Sequence, residues 1–158
     1  MRILVTGGAG MVGAHCAEYF AREGHEIIIY DNLMRAQMLA SSAKKLKQNW
    51  KHLRQFQNMH FYQKDIRNPS DLNQCFKKHV PDVVIHAAGQ PGVRFSLDEP
   101  VEDLRINTEG TLNVLEALKK YNPKGTFIYC STNKVYGNNV HQHAIVEKKL
   151  RYEFKKGL

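Results

Sequence analysis

The feature that most constrains this chain is a glycine-rich turn close to its start. An apolar run at residues 2–6 leads into the sequence TGGAGMVG and then into a helical apolar pattern over residues 11–23. Across this junction Gly7, Gly10 and Gly13 recur at every third position. Glycines at this spacing allow a tight strand-to-helix turn and close packing of the helix on the strand. The chain is therefore predicted to begin with a strand, a tight turn and a helix.

Strand and helix patterns keep alternating along the rest of the chain. Further strands are predicted at residues 26–30, 59–62, 83–88 and 126–131, and the runs EIIIY and DVVIH lack the polar alternation of half-exposed strands. Strands separated by helices of ten or more residues form right-handed βαβ units and a parallel sheet. The prediction is an α/β fold, a Rossmann-type doubly wound parallel sheet with strand order 3-2-1-4-5. Its ligand crevice is expected between strands 1 and 4, where the order reverses.

Three more helices are predicted between these strands. One spans residues 39–56, with lysines opposite its apolar stripe, and one runs from Pro69 or Ser70 to His79. A long one spans residues 101–121. Its apolar spacing predicts five inward residues, namely Leu104, Thr108, Leu112, Leu115 and Leu118.

Length and composition fit one soluble globular domain. The 158 residues are 42% hydrophobic and 24% charged, and the apolar runs are too short to span a membrane. Residues 1–5 lead straight into the glycine turn, without the long apolar region and cleavage site of a signal peptide. Cys16, Cys75 and Cys130 are odd in number and far apart, with no CxxC pair or metal-ligand spacing. We therefore expect a cytoplasmic protein in a reducing compartment, with no metal site.

The net charge of +8 is concentrated in two segments. Residues 32–64 contain seven Lys or Arg and no Asp or Glu, and residues 147–158 contain five basic and two acidic residues. A basic patch attracts phosphates or nucleic acid, but lysines along one side of a helix are also typical of a solvated face. The 39–56 helix lacks the interleaved aromatic residues that stack on bases. The solvated face is therefore preferred, and a nucleic-acid partner is the least favoured interpretation.

The glycine turn also indicates a ligand. A helix N-terminus after such a turn offers free N–H groups and a positive dipole end to a pyrophosphate. Asp31 follows the second predicted strand, 24 residues after Gly7, close to the spacing at which an acid accepts hydrogen bonds from ribose hydroxyls. A carboxylate there repels the 2′-phosphate of NADP, so the sequence favours NAD. NADP remains an alternative cofactor, because Arg35 is close enough to Asp31 in sequence to bind that phosphate.

Several segments resemble those of a known family. After TGGAGMVG come DNL at 31–33, DIR at 65–67, HAAG at 86–89, NTEGT at 107–111 and STNKVYG at 131–137. Together they resemble the extended short-chain dehydrogenase/reductase family, specifically its NAD-dependent nucleotide-sugar epimerases and dehydratases. The resemblance covers residues 3–138. It implies a nucleotide-sugar substrate and hydride transfer between a sugar carbon and the nicotinamide.

The same resemblance gives roles to individual residues. Thr132 corresponds to the family's catalytic Ser/Thr, whose hydroxyl hydrogen-bonds the substrate oxygen that gains or loses a proton. His86 is interpreted as a structural hydrogen-bonding residue, and Tyr136 as part of the V-Y-G turn, packed there or beside substrate. Asn107 is expected to bond neighbouring backbone. The predicted cofactor-binding residues are Gly7, Gly10, Met11, Val12, Gly13, Asp31, Asn32, Arg35, Asp65, Ile66, Ala87, Ala88, Gly89 and Asn107.

The family's general base is the tyrosine of a Y-x-x-x-K motif, which follows a proline at the head of a long helix. The match in this chain, Tyr152 with Lys156, lacks that proline and is followed by only two residues. Both residues are kept as candidates, but the chain alone is expected to be catalytically inactive. We expect residues 1–138 to be an NAD-binding Rossmann domain. Residues 139–158 are expected to be a charged tail that starts a missing C-terminal part.

Two functions and two subfamilies stay open at this point. The chain is either the cofactor-binding half of an epimerase or dehydratase, or a non-catalytic NAD-binding module that acts through a partner chain. An exposed edge at the fifth strand favours a homo-oligomer or such a partner. STNKVYG resembles the epimerases of CDP-linked dideoxysugars, whereas GVRFS at residues 92–96 resembles the UDP-glucuronate and UDP-galactose 4-epimerases.

Overall fold

The computed structural model of the protein describes residues 1–35, 40–132 and 143–155, and only the backbone of residues 40–43, 45 and 46. Its main sheet has five parallel strands in the order β3-β2-β1-β4-β5. The strands are β1 (Arg2–Thr6), β2 (Glu26–Tyr30), β3 (Met59–Tyr62), β4 (Val83–His86) and β5 (Thr126–Tyr129). The predicted doubly wound fold and strand order are confirmed, with two strands ending earlier than expected.

Helices connect the strands. They are α1 (Met11–Arg22), α2 (Ala40–Leu53), α3 (Pro69–His79), α4 (Val93–Asp98), α5 (Pro100–Leu104) and α6 (Gly110–Tyr121), with a π-helical segment at Arg105–Glu109. The N-terminus of α3 is capped by Asn68, whose side chain accepts hydrogen bonds from the N–H groups of Ser70 and Asp71. In the part of the chain that the structure describes, no helix is long and apolar enough to cross a membrane.

The central strands of the sheet are covered by helices on both faces, and successive residues of each strand point to opposite faces. One face packs α3 and α6 through Leu72, Phe76 and Val114. The other packs α1 and α2. The side chains of Ile27, Ile28, Ile29 and Tyr30 in β2 are fully buried, as expected of a strand covered on both faces.

The predicted long helix differs from the structure in shape and in its inward face. Helices α5 and α6 are joined by the π-helical segment, which interrupts the regular α-helical repeat. Leu104, Thr108, Leu112 and Leu115 are exposed, so their predicted inward orientation is wrong. The buried residues of this region are Ile106, Gly110, Val114, Ala117 and Leu118.

Small side chains help to explain which face of α6 packs against the sheet. A Cβ atom at Gly110 would lie 2.5 Å from the Cδ1 atom of Ile66, so a larger residue there would require the Ile66 side chain to move. Ala117 is buried on the same face of the helix as Val114. The buried face of α6 therefore combines the small residues Gly110 and Ala117 with Val114 and Leu118. Apolar periodicity alone selected the leucine stripe instead, because it weighs side-chain size and not the closeness of packing.

A second, two-stranded antiparallel sheet lies in the segment expected to be a charged tail. Its strands are β6 (Ile145–Glu147) and β7 (Tyr152–Phe154). The hairpin is bridged by a salt bridge between Lys148 and Glu153 and by one between Arg151 and Glu153. This segment is thus ordered as a hairpin in its described residues.

Candidate functional site

The glycine turn is held by two close approaches of backbone to backbone. Gly7 has a φ of +67°, and a Cβ atom there would lie 2.6 Å from the backbone of Ala87. A Cβ atom at Gly13 would lie 2.3 Å from the carbonyl oxygen of Gly7. The N–H group of Gly10 donates to the same carbonyl oxygen at 2.9 Å. Larger residues at Gly7 and Gly13 would displace the turn from β4 and α1.

The N-terminus of α1 presents unpaired backbone donors at this turn. Its N-cap residue is Gly10, which provides no side-chain hydrogen bond, and its first turn contains no acidic residue. The first N–H groups of an α-helix have no partner within the helix. Together with the helix dipole, they favour a negatively charged group such as a phosphate at this point.

A cavity of about 540 Å³ opens at the carboxyl ends of β1, β2 and β4. Ten of the predicted cofactor-binding residues line it: Gly7, Gly10, Asp31, Asn32, Arg35, Asp65, Ile66, Ala87, Ala88 and Gly89. The predicted residues Met11, Val12, Gly13 and Asn107 are not among the lining residues. Lining residues that the sequence did not predict include Met34, Lys64, Pro91, Arg94 and Phe95.

Asp31 is fixed at the end of β2 by two backbone donors. Its Oδ2 atom accepts a hydrogen bond from the N–H of Ala9 at 2.9 Å, and its Oδ1 atom accepts one from the N–H of Leu33 at 2.7 Å. Burial raises the pKa of this carboxyl, and the two N–H groups oppose that change. A carboxylate accepts about four hydrogen bonds, so capacity remains for two ligand hydroxyls.

Asp65 organises a second polar corner of the cavity. It accepts hydrogen bonds from the side chain of Asn32 at 2.8 Å and from the backbone and guanidinium of Arg67. Arg67 in turn pairs with Glu102. Although burial opposes it, the Arg67 and Asn32 hydrogen bonds hold the pKa of Asp65 below its usual value. Asp65 is therefore an ionised acceptor with a fixed orientation.

Three cationic side chains line the same cavity: Arg35, Lys64 and Arg94. Lys64 also lies 3.3 Å from the carboxylate of Asp71. Elsewhere in the basic segment, Lys44, Lys47, Lys51 and Arg54 are exposed, as expected of a solvated helix face. The cavity itself therefore combines the carboxylates of Asp31 and Asp65 with cations suited to phosphates.

His86 is held between two threonines and is almost fully buried. Its Nδ1 atom lies 2.7 Å from the Thr6 hydroxyl and its Nε2 atom 2.9 Å from the Thr111 hydroxyl. Thr111 donates its own proton to the carbonyl oxygen of Asn107, so Nε2–H of His86 donates to Thr111 and Nδ1 accepts from Thr6. Burial lowers the pKa of His86 to about 4. The interpretation of His86 as a structural residue agrees with this arrangement.

A hydrogen-bond network beneath the cavity was missed from the sequence. Asn107 accepts from the backbone N–H of Gln90 at 2.8 Å and donates to the Gln90 carbonyl, as expected of a residue that bonds neighbouring backbone. The Gln90 side chain donates to Asp103 at 3.0 Å, and Ser96 also donates to Asp103 at 2.9 Å. The network fixes the loop after β4. Its sequence signal is only a set of separate polar residues, Gln90, Ser96, Asp103 and Asn107, which no spacing rule distinguishes.

The predicted catalytic residues are less well placed. Thr132 is exposed and lies three residues beyond the end of β5, at the same edge of the sheet as the cavity. Tyr152 is the first residue of β7, pairs with Glu147 and is 66% exposed. Tyr136 and Lys156 lie outside the described residues. Of the described candidates, neither Thr132 nor Tyr152 is among the residues that line the cavity.

Comparison with known proteins gives one consistent family. Residues 3–156 match the model of the NAD-dependent epimerase/dehydratase family. The chain is 39% identical over 152 residues to the CDP-paratose 2-epimerase of Salmonella typhi, and the match covers 96% of this chain and 42% of that protein.

Solved structures agree with this result. The UDP-glucose 4-epimerase of Thermotoga maritima, solved with UDP-glucose, has a TM-score of 0.71 and 34% identity, over 88% of this chain and 40% of its own. The Thermus thermophilus UDP-glucose 4-epimerase, solved as a complex with NAD, has a TM-score of 0.61 and 33% identity, over 77% and 34% of the two chains. The chain thus spans less than half the length of these proteins.

Proposed function

The chain belongs to the NAD-dependent epimerase/dehydratase family, and from this premise we propose that it is the NAD-binding portion of a nucleotide-sugar epimerase or dehydratase of the extended short-chain dehydrogenase/reductase type. Residues 1–138 form the NAD-binding unit in this proposal, and residues 139–158 start the part that completes the enzyme. The observation that carries the proposal is the cavity, which joins the glycine turn, Asp31 and the Ala87–Gly89 loop where the strand order reverses.

The residues present fit a dinucleotide. Cβ atoms at Gly7 or Gly13 would collide with neighbouring backbone, so glycine is what allows the tight turn, and the uncapped start of α1 suits the pyrophosphate. Asp31 has free acceptor capacity for the adenosine ribose. The loop from Ala87 to Gly89 would lie along the rest of the cofactor. NAD, when bound, supplies hydride-transfer chemistry at its nicotinamide.

NAD is favoured over NADP by the charge of Asp31. A carboxylate held by two backbone donors cannot swing away, so it would repel a 2′-phosphate. Arg35 lines the same cavity and is the residue that would oppose this preference.

The substrate we propose is a nucleotide sugar, since the named relatives act on CDP-linked or UDP-linked sugars. Thr132 would hydrogen-bond the reacting oxygen of that sugar. The exposed position of Tyr152 supports the view that this chain alone is catalytically incomplete. That position equally favours the second candidate, a non-catalytic NAD-binding module that acts through a partner chain.

A partner would have an available surface at β5. This strand ends the sheet in the described part of the chain, and its residues Ile128 and Tyr129 are exposed. We propose that another copy or another chain pairs there. The three cysteines are free thiols, which is compatible with the cytoplasmic setting that we propose.

The direct test of the proposed function is NAD binding by the 158-residue chain. Gly10→Val would place a branched side chain at the cavity wall. Even its Cβ atom would lie only 3.1 Å from the Gly7 carbonyl oxygen. We expect calorimetry to show at least about a tenfold weaker NAD affinity, or about 1.4 kcal/mol.

The matched control is Gly24→Asn, at the other end of α1. Gly24 has a φ of +81° with open space around its Cβ position, and asparagine tolerates this conformation. It should leave NAD affinity unchanged. Equal NAD affinity of the wild type and Gly10→Val would contradict the proposed site.

A further inference from the structure

A cluster of histidine and carboxylate side chains lies at the end of the sheet opposite the cavity. Glu26 is the first residue of β2, His60 is the second residue of β3, and His79 is the last residue of α3. The register of β2 and β3 puts Glu26 and His60 on the same face as Tyr62, the face that α3 covers. Three elements that are separate in sequence therefore bring metal-ligating atoms to one place.

The spacing of these atoms is close to that of a metal site. The His60 Nε2 atom lies 3.0 Å from Glu26 Oε1, the His79 Nδ1 atom lies 3.5 Å from the same oxygen, and all three ligand atoms lie within 4.8 Å of one another. Ligand atoms about 2.05 Å from a tetrahedral Zn²⁺ are about 3.3 Å apart. Glu26 and His60 are 41% and 44% exposed, so their side chains can move the remaining distance.

His79 already has the orientation of a metal ligand. It is 5% exposed, and its Nε2 atom lies 2.8 Å from the Tyr62 hydroxyl. If Nε2–H donates to Tyr62, the lone pair of Nδ1 points toward Glu26. Metal-bound histidines characteristically make such a hydrogen bond through their second nitrogen. Burial first, and then the neighbouring His60, lower the pKa of His79, although Glu26 opposes this change.

We propose that Glu26, His60 and His79 bind Zn²⁺, with water as the fourth ligand. Two imidazoles and one carboxylate are a donor set that Zn²⁺ prefers. The bound ion would link β2, β3 and α3 at the amino ends of the strands. The site is therefore separate from the dinucleotide cavity, which opens at their carboxyl ends, and it does not depend on the proposed function.

The test is calorimetric titration of the 158-residue chain with Zn²⁺, together with the absorption spectrum of the Co²⁺ form. We expect one equivalent of Zn²⁺ to bind, and we expect a visible Co²⁺ spectrum typical of tetrahedral nitrogen and oxygen ligands. His79→Gln and Glu26→Gln should each weaken Zn²⁺ binding by at least about a hundredfold. Tyr62→Phe should weaken it by about 10- to 100-fold, because it removes the partner that orients His79.

The matched control is His52→Gln. His52 Nε2 lies 3.0 Å from a Glu18 carboxylate oxygen, but in the described part of the chain this pair has no third ligand to complete a site. His52→Gln should leave Zn²⁺ binding unchanged. If His79→Gln is unfolded by circular dichroism, the half-exposed His60→Asn replaces it. Equal Zn²⁺ affinity in all variants, a near-ultraviolet thiolate band in the Co²⁺ form, or no Zn²⁺ binding to the wild type would overturn the proposal.

Discussion

At the scale of single residues, the charge of Asp31 is expected to set cofactor preference. Asp31→Asn keeps the shape of the side chain but removes its negative charge. That charge strengthens the hydrogen bonds accepted from ribose hydroxyls and repels a 2′-phosphate. A hydrogen bond to a charged group contributes about 1.5–3 kcal/mol. We therefore expect NAD affinity to fall about tenfold or more, and the NAD-to-NADP affinity ratio to fall with it. Calorimetry with both dinucleotides measures this ratio.

Two further variants interpret that measurement. Asp82→Asn is the control, because the Asp82 carboxylate also accepts a backbone N–H, from Arg2 at 2.7 Å, but at the opposite end of the sheet. It should change neither affinity. If Asp31→Asn leaves the ratio unchanged while Arg35→Ala weakens NADP alone, Arg35 sets the preference and the role assigned to Asp31 is wrong.

Residues that act through a local motif were predictable, and residues that act through long-range contacts were not. Gly7 and Asp31 are marked by a turn and by a strand end, which the sequence shows directly. Gln90 and Asp103 meet through the path of the chain between β4 and α5. Likewise, Glu26 and His79 meet only because β2 and α3 pack together. The spacing of residues along the sequence does not predict such contacts.

At the scale of elements, the hydrogen bonds of His86 join β4 to β1 and α6. The buried imidazole should make the free energy of unfolding depend on pH. It lies on β4 and bonds Thr6 of β1 and Thr111 of α6. Its pKa is about 4 in the folded chain and about 6.5 in an unfolded chain. The unfolded state therefore binds more protons between these values, so the free energy of unfolding should fall as pH falls from 6.5 to 4. The loss is at most about 3 kcal/mol.

Urea unfolding between pH 4 and pH 7 measures this dependence. His86→Gln should reduce the slope, and the exposed His15→Gln should not. Part of the slope should remain in His86→Gln, because the pKa of His79 is lowered as well. An unchanged slope in His86→Gln would show that the buried imidazole is not responsible.

The strands were predicted better than the helix faces for a physical reason. A strand buried on both sides, such as β2, is a continuous apolar run, so no choice of face is needed. Helix α6 required such a choice, and its close contact with Ile66 depends on Gly110, a residue without a side chain. A π-helical segment also precedes it. Apolar periodicity cannot register either feature.

At the scale of the whole molecule, we expect this chain to bind the cofactor without catalysing the reaction. All of the described cavity lies within residues 7–106, so we expect this chain to bind NAD without any further segment. Turnover needs more. A general base must be held within hydrogen-bond reach of the proton that it removes, and the sugar must be held against the nicotinamide. Tyr152 lies in the hairpin strand β7, is exposed, and is not among the residues that line the cavity.

We therefore expect the 158-residue chain to bind NAD without converting any nucleotide sugar. The measurement incubates the chain with NAD and a panel of UDP- and CDP-linked sugars, and follows both epimer formation and NADH absorbance. A full-length UDP-glucose 4-epimerase serves as the positive control for the assay. Turnover that Tyr152→Phe abolishes would make Tyr152 the base and reverse this interpretation. Turnover that survives Tyr152→Phe would equally contradict catalytic incompleteness, because another residue of the chain would then have to remove the proton. Bound NAD without turnover is the expected outcome, since most of the residues proposed to bind the cofactor line one cavity and Tyr152 is not among them.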